Sequence, residues 1–288
     1  MPELPEVEIV KRGLERRIVG LEIESVEIRL AKIFQGDHEK ILNSKITQIQ
    51  RHAKMLEIDF ANSQSLLIHL KMTGQLIFDQ KDTDKRSRVA GGHPSKDWVA
   101  DLPNQFTHVV FHFKGGGVLY FNDIRRFGYI KVFDQKDLAK TKEISSLGPS
   151  PFAESFDEKY LLGATARRPK LKIKQLLMDQ SIIAGIGNIY ADESLFCAGI
   201  SPLRMSSQIT KEEFSKLIKC IRGVLELALE HGGSSENTFV NTEGERGGMQ
   251  NFFKVYRQTG QDCPNGCGKI KRIVVGGRGT HYCPACQK

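Results

Sequence analysis

Four cysteines near the C terminus constrain the fold of this chain more than any other feature of its sequence. They form two close pairs separated by fifteen residues, Cys263 with Cys267 and Cys283 with Cys286. Four thiolates at such spacing are typical of a structural zinc site, in which one Zn²⁺ ion has a closed tetrahedral shell. A module this small has little core of its own, so the metal supplies much of its folding free energy. We therefore predict one zinc-bound module over residues 249–288.

The residues between the two cysteine pairs predict a small and basic hairpin. Ile270–Val275 and His281–Tyr282 are strand-like, and the glycine-rich segment between them predicts a turn with Arg278 at its tip. Residues 246–288 contain eight lysines and arginines against one acid, which accounts for nearly all of the net charge of +8. A second basic cluster without acids comprises Arg167, Arg168, Lys170, Lys172 and Lys174. Basic segments favour polyanions through counterion release, so nucleic acid is the predicted partner, although a solvated surface explains either cluster alone equally well.

The bulk composition fits a globular chain with about two domains. Of its 288 residues 40% are hydrophobic and 26% are charged, and no apolar run approaches the roughly 18 residues of a membrane span. Acidic residues near the start leave no room for the basic region of a signal peptide. We expect a cytoplasmic, nucleoid-associated monomer without membrane contact. Because Cys197 and Cys220 stand apart from the other four cysteines, we predict a reducing compartment without a disulfide framework, and Cys220 as a buried apolar residue.

Hydrophobic periodicity divides the chain into an α+β arrangement. Helical spacing from about Pro5 to Arg17 precedes several period-two segments, such as Met55–Phe60, which predict an antiparallel sandwich or barrel over 1–134. The polar segment 79–105 is predicted to be a long surface loop, and 135–155 a linker. A capping-box pattern at Thr210–Glu213 opens a helix in the predicted helical domain, 156–248.

The N terminus combines residues that suit amine catalysis. Removal of Met1 would expose the secondary amine of Pro2 ahead of a helix, beside the carboxylate of Glu3. An α-amine with a pKa near 7.7–8.0 is about one-tenth free base at pH 7, far more than a lysine. Attack on a sugar C1′ would give an iminium, an electron sink that acidifies the C2′ protons, and Glu3 could shuttle protons. Acidic residues also decorate many helix starts, so this pattern alone is weak.

Three segments together resemble bacterial formamidopyrimidine-DNA glycosylases, in the family's order and across almost the whole chain. They are Met1–Glu8 (MPELPEVE), Gly185–Glu193 (GIGNIYADE) and Gly277–Gln287 (GRGTHYCPACQ). The resemblance implies an N-terminal β-sandwich preceded by a helix, a helical domain with a helix–two-turn–helix, and the zinc finger. It also implies a base-excision-repair enzyme that removes 8-oxoguanine and formamidopyrimidines from double-stranded DNA and cleaves abasic sites by β,δ-elimination.

The same resemblance assigns roles to individual residues. Pro2 matches the Schiff-base nucleophile, Glu3 the acid/base, Glu6 a supporting carboxylate, and Lys54 a strand lysine that contacts phosphate beside the lesion. His69, Asn188 and Arg278 match phosphate ligands, while Met72, Arg125 and Phe127 match residues that fill the gap left by an everted base. Arg125 would pair with the orphaned cytosine. The loop 234–250 resembles the segment that closes over the everted purine.

Two alternatives stay open, and two features depart from the family pattern. An enzyme similar to endonuclease VIII would prefer oxidised pyrimidines, but that branch typically has glycine where this chain has Leu4. A non-catalytic zinc-ribbon protein would explain the charge and the cysteines, but not the combination of Pro2, Glu3 and Lys54. The first cysteine pair encloses three residues where the family usually has two, which predicts a locally altered turn. The loop 79–105 is also longer than usual.

Overall fold

In the computed structural model the described residues are 1–80, 87–91 (backbone only), 102–235 and 247–288. They form two units: Met1–Ser145 together with His231–Gln250, and Ser146–Glu230 together with Asn251–Lys288. Of the predicted long loop, 79–105, residues 81–86 and 92–101 lie outside the described residues, as does the central part, 236–246, of the predicted closing loop. The loop prediction is wrong for Asp79–Gln80 and Ser87–Gly91, which belong to two strands that pair with one another.

The first unit begins with helix α1, Leu4–Ile18, which starts and ends one residue beyond its predicted bounds. Glu3 is its N-cap in extended conformation, and Pro5 lies in the first turn, where a missing N–H costs nothing. Val7, Val10, Leu14 and Ile18 recur at helical spacing and are buried in the main hydrophobic core. This buried stripe fixes α1, and with it the N terminus of the chain, against the sheets.

Among the described residues of this unit, ten strands follow α1: β1 Ile23–Ile28, β2 Phe34–Gln35, β3 Ile46–His52, β4 Met55–Phe60, β5 Gln64–His69, β6 Gly74–Gln80, β7 Ser87–Gly91, β8 Thr107–Phe113, β9 Gly117–Asp123 and β10 Tyr129–Asp134. They form two five-stranded sheets, in the orders β1-β8-β9-β6-β7 and β2-β10-β5-β4-β3. All pairs are antiparallel except β2 with β10. The core between the sheets contains Leu56, Ile58, Phe78, Phe111 and Phe121. The predicted sandwich is confirmed.

Strand register brings three turns to one end of the sandwich. Met55 pairs with His69, and His69 pairs with Tyr129. The strands β4, β5 and β10 of the second sheet therefore have ends that lie side by side. In the first sheet Gly74 pairs with Asp123 at the corresponding strand ends. The loops 70–73 and 124–128 each connect one sheet to the other, and the turn 53–54 joins β3 to β4. Sheet topology thus gathers residues that are far apart in sequence.

Short helices α2, Gln135–Leu138, and α3, Lys142–Ser145, close the first unit, and the second unit is mainly helical. It contains α4 Glu158–Arg167, α5 Ile173–Met178, α6 Asn188–Ala198, α7 Lys211–Glu230, and a hairpin of β11 Lys271–Val275 and β12 Arg278–Tyr282. The capping interaction predicted for the start of α7 is present, because the backbone N–H of Glu213 donates to Thr210 Oγ1 at 3.2 Å. None of the helices in the described ranges is both long and apolar enough to cross a bilayer.

The cysteine prediction for the helices is wrong. Cys197 of α6 and Cys220 of α7 form a disulfide, with their Cα atoms 5.7 Å apart. Cys220 is buried, as expected, but it is crosslinked instead of being a simple apolar residue. The two cysteines lie 23 residues apart and come together because α6 packs along α7, which periodicity does not reveal.

Candidate active site and nucleic-acid interface

The carboxylate of Glu6 organises the start of α1. Its Oε2 accepts the backbone N–H of Glu3 at 2.8 Å, and its Oε1 accepts the backbone N–H of Ser234 at 2.9 Å. Glu3 and Glu6 are each only 3% exposed, and Pro2 is buried as well. Glu6 therefore holds both the N terminus and the segment that leads into residues 236–246.

The terminal amine lies in a buried and highly charged environment. Burial lowers the pKa of the Met1 ammonium below its ordinary value, the nearby Glu3 and Glu6 raise it, and Lys54 and Arg125 lower it again. Once Met1 is removed, the same groups would surround the amine of Pro2. A depressed pKa increases the fraction of free base, which is the nucleophilic form.

Lys54 lies close to this amine but not on a strand. It occupies the two-residue turn between β3 and β4, after Ala53, whose φ is +55°. Its burial is nevertheless nearly complete, at 5% exposure. The strand position predicted for Lys54 is therefore wrong, because β3 ends two residues earlier.

His69, at the end of β5, is held as a neutral ring. Its Nδ1 accepts the backbone N–H of Lys71 at 3.0 Å, so the neutral ring carries its proton on Nε2. Burial, reinforced by the charges of Lys71 and Lys54, lowers the pKa of His69 to about 3. The Tyr129 ring packs edge-on against it, with centroids 5.6 Å apart. His69 can thus donate one hydrogen bond from Nε2 without carrying a charge.

Two exposed hydrophobic side chains stand on the loops at this end of the sandwich. Met72, in the β5–β6 turn, is 36% exposed, and Phe127, in the β9–β10 loop, is 53% exposed. The guanidinium carbon of Arg125 lies 4.9 Å from the centroid of the Phe127 ring. An apolar tip with a stacked cation is suited to insertion between bases.

The structure also reveals a buried carboxylate that sequence reasoning missed. Asp123 is fully buried and accepts the backbone N–H groups of Phe127 and Gly128 at 2.8 and 2.7 Å. The sequence signal was the acid that opens the Asp123–Gly128 motif, because an aspartate ahead of a loop often caps backbone N–H groups.

In the second unit, Asn188 and Arg278 lie on joined elements. Asn188 is the first residue of α6, and its Nδ2 donates to the carbonyl oxygen of Gly279 at 3.0 Å. Arg278 is exposed and pairs with Val275 as the first residue of β12. The hairpin turn consists of Gly276 and Gly277 alone, both with positive φ. Arg278 directly follows the turn, so the prediction that it lies at the tip is wrong by one residue.

A buried ion pair holds this hairpin against the helices. The Lys174 ammonium lies 2.6 Å from Asp192 Oδ1, with both side chains fully buried, and donates to Thr280 Oγ1 at 2.8 Å. The other oxygen, Asp192 Oδ2, accepts the backbone N–H of His281 at 2.8 Å. The prediction that Lys174 belongs to a basic cluster facing nucleic acid is therefore wrong for this residue, because its charge is buried and neutralised by Asp192.

The four predicted zinc ligands converge. The Sγ atoms of Cys263, Cys267, Cys283 and Cys286 all lie within 4.8 Å of one another. Neighbouring sulfurs are 3.4 to 3.8 Å apart, close to the roughly 3.8 Å expected around tetrahedral zinc with about 2.3 Å Zn–S bonds. The longer first pair closes through a tight turn in which Gly266 N donates to Cys263 O at 2.8 Å. The donor set fits one structural zinc, which would supply folding energy to the hairpin and no chemistry.

Family models cover most of the chain in three consecutive parts. Residues 1–130 match the formamidopyrimidine-DNA glycosylase N-terminal domain, residues 147–240 the H2TH domain of the same enzymes, and residues 260–288 the zinc finger found in FPG and IleRS.

Curated relatives and solved structures agree with these matches. The formamidopyrimidine-DNA glycosylases of Pelotomaculum thermopropionicum and Streptococcus mutans are each 38% identical to this chain, all of which is aligned with 99% and 100% of their lengths. A complex of Lactococcus lactis Fpg with DNA containing an abasic site has a TM-score of 0.85 at 33% identity, with 99% of both chains covered. The same enzyme in complex with DNA containing an oxidised pyrimidine has a TM-score of 0.84 at 33% identity over both full chains. The chain belongs to the formamidopyrimidine-DNA glycosylase family.

Proposed function

We propose that this protein is a bifunctional DNA glycosylase and abasic-site lyase of base excision repair that removes oxidised purines. The observation that carries the proposal is the N terminus, where Pro2 and Glu3 are buried and the charges of Glu3, Glu6 and Lys54 act on the terminal amine. This terminus lies at the end of the sandwich that also bears Met72 and Phe127. A zinc-ribbon protein without catalysis would have no use for such a site.

In the proposed reaction the Pro2 amine, freed of Met1, attacks C1′ of the damaged nucleotide. The C1′–N bond to the base breaks as the C1′–N bond to Pro2 forms, and the base leaves with the proton that the attacking amine gives up. Glu3 then donates a proton to the sugar ring oxygen as the C1′–O4′ bond opens, which leaves an iminium between Pro2 and C1′. The resulting iminium withdraws electrons from C2′, so loss of a C2′ proton expels the 3′-phosphate, and a second elimination expels the 5′-phosphate. Glu6 positions Glu3 through the 2.8 Å bond to its backbone N–H.

The remaining residues bind DNA in this proposal. Lys54 and His69 contact phosphates beside the lesion, one as a cation and the other as a neutral donor. Asn188 and Arg278, joined through Gly279, contact the backbone from the second unit.

Met72, Arg125 and Phe127 fill the space left by the everted base. Their exposure favours this role, because a core function would bury them. The segment that would cover the everted purine starts and ends at fixed points, since Gly247 N donates to Ser235 Oγ at 2.6 Å. The proposal includes binding of double-stranded DNA as a monomer at the bacterial nucleoid. The net charge of +8 favours the contact with DNA.

Reductive trapping tests the proposal directly. Protein with a verified Pro2 terminus is incubated with an 8-oxoguanine:cytosine duplex and borohydride, and peptide mass spectrometry locates the adduct. We expect a covalent sugar on Pro2, and strand cleavage that is lost in Pro2→Gly. The proposal fails if the sugar is found on another side chain, or if Pro2→Gly cleaves as fast as the parent.

Oxidised pyrimidines are a second candidate substrate, because the L. lactis relative has been solved with such DNA. Trapping on a thymine-glycol duplex in the same assay separates the two. An adduct with thymine glycol but none with 8-oxoguanine would assign the protein to the pyrimidine branch.

A further inference from the structure

Asp123 joins the two loops that carry the proposed wedge residues Met72, Arg125 and Phe127. Its Oδ2 accepts the backbone N–H groups of Phe127 at 2.8 Å and Gly128 at 2.7 Å. Its Oδ1 accepts the backbone N–H of Arg125 at 3.2 Å and the hydroxyl of Thr73. One buried carboxylate therefore receives four donors, two on each oxygen.

Thr73 completes the connection between the loops. Its hydroxyl donates to Asp123 and accepts the backbone N–H of Arg125 at 3.1 Å. Since Thr73 directly follows Met72, both wedge-bearing loops are tied to one side chain. Hydrogen bonds to an ionised acceptor are roughly twice as strong as neutral ones, and they fix direction as well as distance.

Asp123 is itself held on every side. Its backbone N–H donates to the carbonyl oxygen of Phe106 at 2.9 Å, and its own carbonyl oxygen lies 2.7 Å from Nε2 of the buried His108. Gly128 closes the remaining side, because a Cβ there would lie 2.7 Å from the Phe121 ring and 3.1 Å from Asp123 Oδ2. The backbone of Asp123 is thus fixed at the end of β9, and its carboxylate is held by the four donors and the close packing of Gly128, so it acts as an anchor for two exposed loops.

We propose that Asp123 and Thr73 are positioning residues that preorganise the wedge before DNA binds. The inference rests on the proposed function and extends it to residues that touch neither the lesion nor the amine. An exposed loop that is ordered in advance loses less entropy when it inserts, so binding energy remains available for unstacking the base pair. The anchor thus acts on base eversion through the loops that carry the wedge residues.

The test compares two substrates that need the wedge to different extents. Excision of 8-oxoguanine from a duplex requires eversion, whereas cleavage of a preformed abasic site in single-stranded DNA requires only the amine and its neighbours. The ratio of the two single-turnover rates isolates the wedge. A variant that merely loosened the fold would lower both rates together.

Thr73→Val keeps the shape of the side chain and removes the hydroxyl. The substitution removes the bond to Asp123 and the bond from the Arg125 N–H. We expect the duplex rate to fall about 10- to 150-fold, the range of a lost hydrogen bond to a charged group, with the single-strand rate within about 2-fold of the parent. Thr73→Ser, which restores the hydroxyl, should recover most of the duplex rate. Ser65→Ala is the matched control, because Ser65 Oγ donates to the buried Asp59 at 2.6 Å on the same sandwich and touches no wedge loop. It should leave the ratio of rates unchanged.

Asp123→Asn replaces one carboxylate oxygen of the anchor by an NH₂ group and keeps the other oxygen. The amide can still accept from Phe127 and Gly128 with its oxygen, but its NH₂ group then faces the N–H of Arg125. We therefore expect a weaker preference for cytosine opposite the lesion, since the Arg125 side of the loop is displaced. The preference is measured as the ratio of rates with cytosine and with adenine opposite 8-oxoguanine.

The outcomes separate this inference from the proposed function. A lowered duplex-to-single-strand ratio in Thr73→Val that Thr73→Ser reverses supports the anchor, and so does a lowered cytosine preference in Asp123→Asn. An unchanged ratio in a folded Thr73→Val overturns it, even with a fully active parent. A parent that cleaves neither substrate overturns the proposed function instead.

Discussion

The neutral state of His69 leads to a prediction that distinguishes it from every basic residue of the proposed interface. Its Nδ1 is occupied by the Lys71 N–H at 3.0 Å, and its pKa is lowered to about 3. His69→Ala therefore removes one uncharged donor to a phosphate. A hydrogen bond to a charged group contributes about 1.5–3 kcal/mol, so Kd for lesion duplex should rise about 10- to 150-fold.

The salt dependence of binding should not change in His69→Ala. Each cation that neutralises a phosphate adds about 0.9 to the slope of log K against log salt concentration, and a neutral donor adds nothing. Arg278→Ala is the matched control, because it removes a charge and should lower the slope by about 0.9. Both slopes are obtained by measuring Kd for a duplex with a non-cleavable abasic analogue by fluorescence anisotropy, at salt concentrations from about 50 to about 300 mM.

The pH dependence provides an independent check. A bound phosphate would have to raise the pKa of His69 from about 3 to above 6, or about 4 kcal/mol of extra attraction, before the ring became charged. The loss of affinity in His69→Ala should thus be the same at pH 6 and pH 8. In the free protein the unfolded ring binds a proton below about 6.5 and the folded ring does not, so folding stability falls as the pH drops through this window. The reasoning is refuted if His69→Ala lowers the salt slope like Arg278→Ala, or costs more affinity at pH 6 than at pH 8.

Three further predictions concern the second unit. Lys174→Met leaves Asp192 buried without its cation, so the free energy of unfolding should fall by about 3–5 kcal/mol in urea denaturation. Cys197→Ser, or reduction of the bond to Cys220, should lower it by about 3 kcal/mol, because a crosslink over 23 residues no longer restricts the unfolded chain. Removal of zinc by a chelator should unfold the hairpin that bears Arg278, and should weaken binding to damaged and undamaged duplex alike, with one zinc per chain released on metal analysis.

A control variant in the same unit checks the ion-pair prediction, and a contradicting outcome is defined for each of the other two. Arg168→Met breaks a partly exposed pair with Asp179 and should cost at most about 1 kcal/mol, so an equal loss in Lys174→Met would contradict the importance of burial. If the melting temperature is the same with and without a thiol reductant, the crosslink does not stabilise the fold. Binding that survives complete loss of zinc would show that the hairpin folds or acts without its metal.

The sequence by itself determined those features that depend on local pattern. The spacing of four cysteines predicted their common site, and period-two segments predicted an antiparallel sandwich or barrel, because both follow from bond geometry and alternation along a strand. The resemblance to the family narrowed this prediction to a sandwich. The resemblance of three short segments predicted the family. Helix α1 was predicted within one residue at each end, since its apolar stripe and N-terminal proline are local signals.

Tertiary structure alone decided which distant groups meet. Lys174 looked like a member of a basic surface cluster, yet packing of α5 against α6 buries it beside Asp192. Cys197 reaches Cys220 only through the packing of two helices, and Asp123 reaches Thr73 only because β6 pairs with β9. A buried charge or thiol finds its partner by position in space, and neither composition nor periodicity records that position.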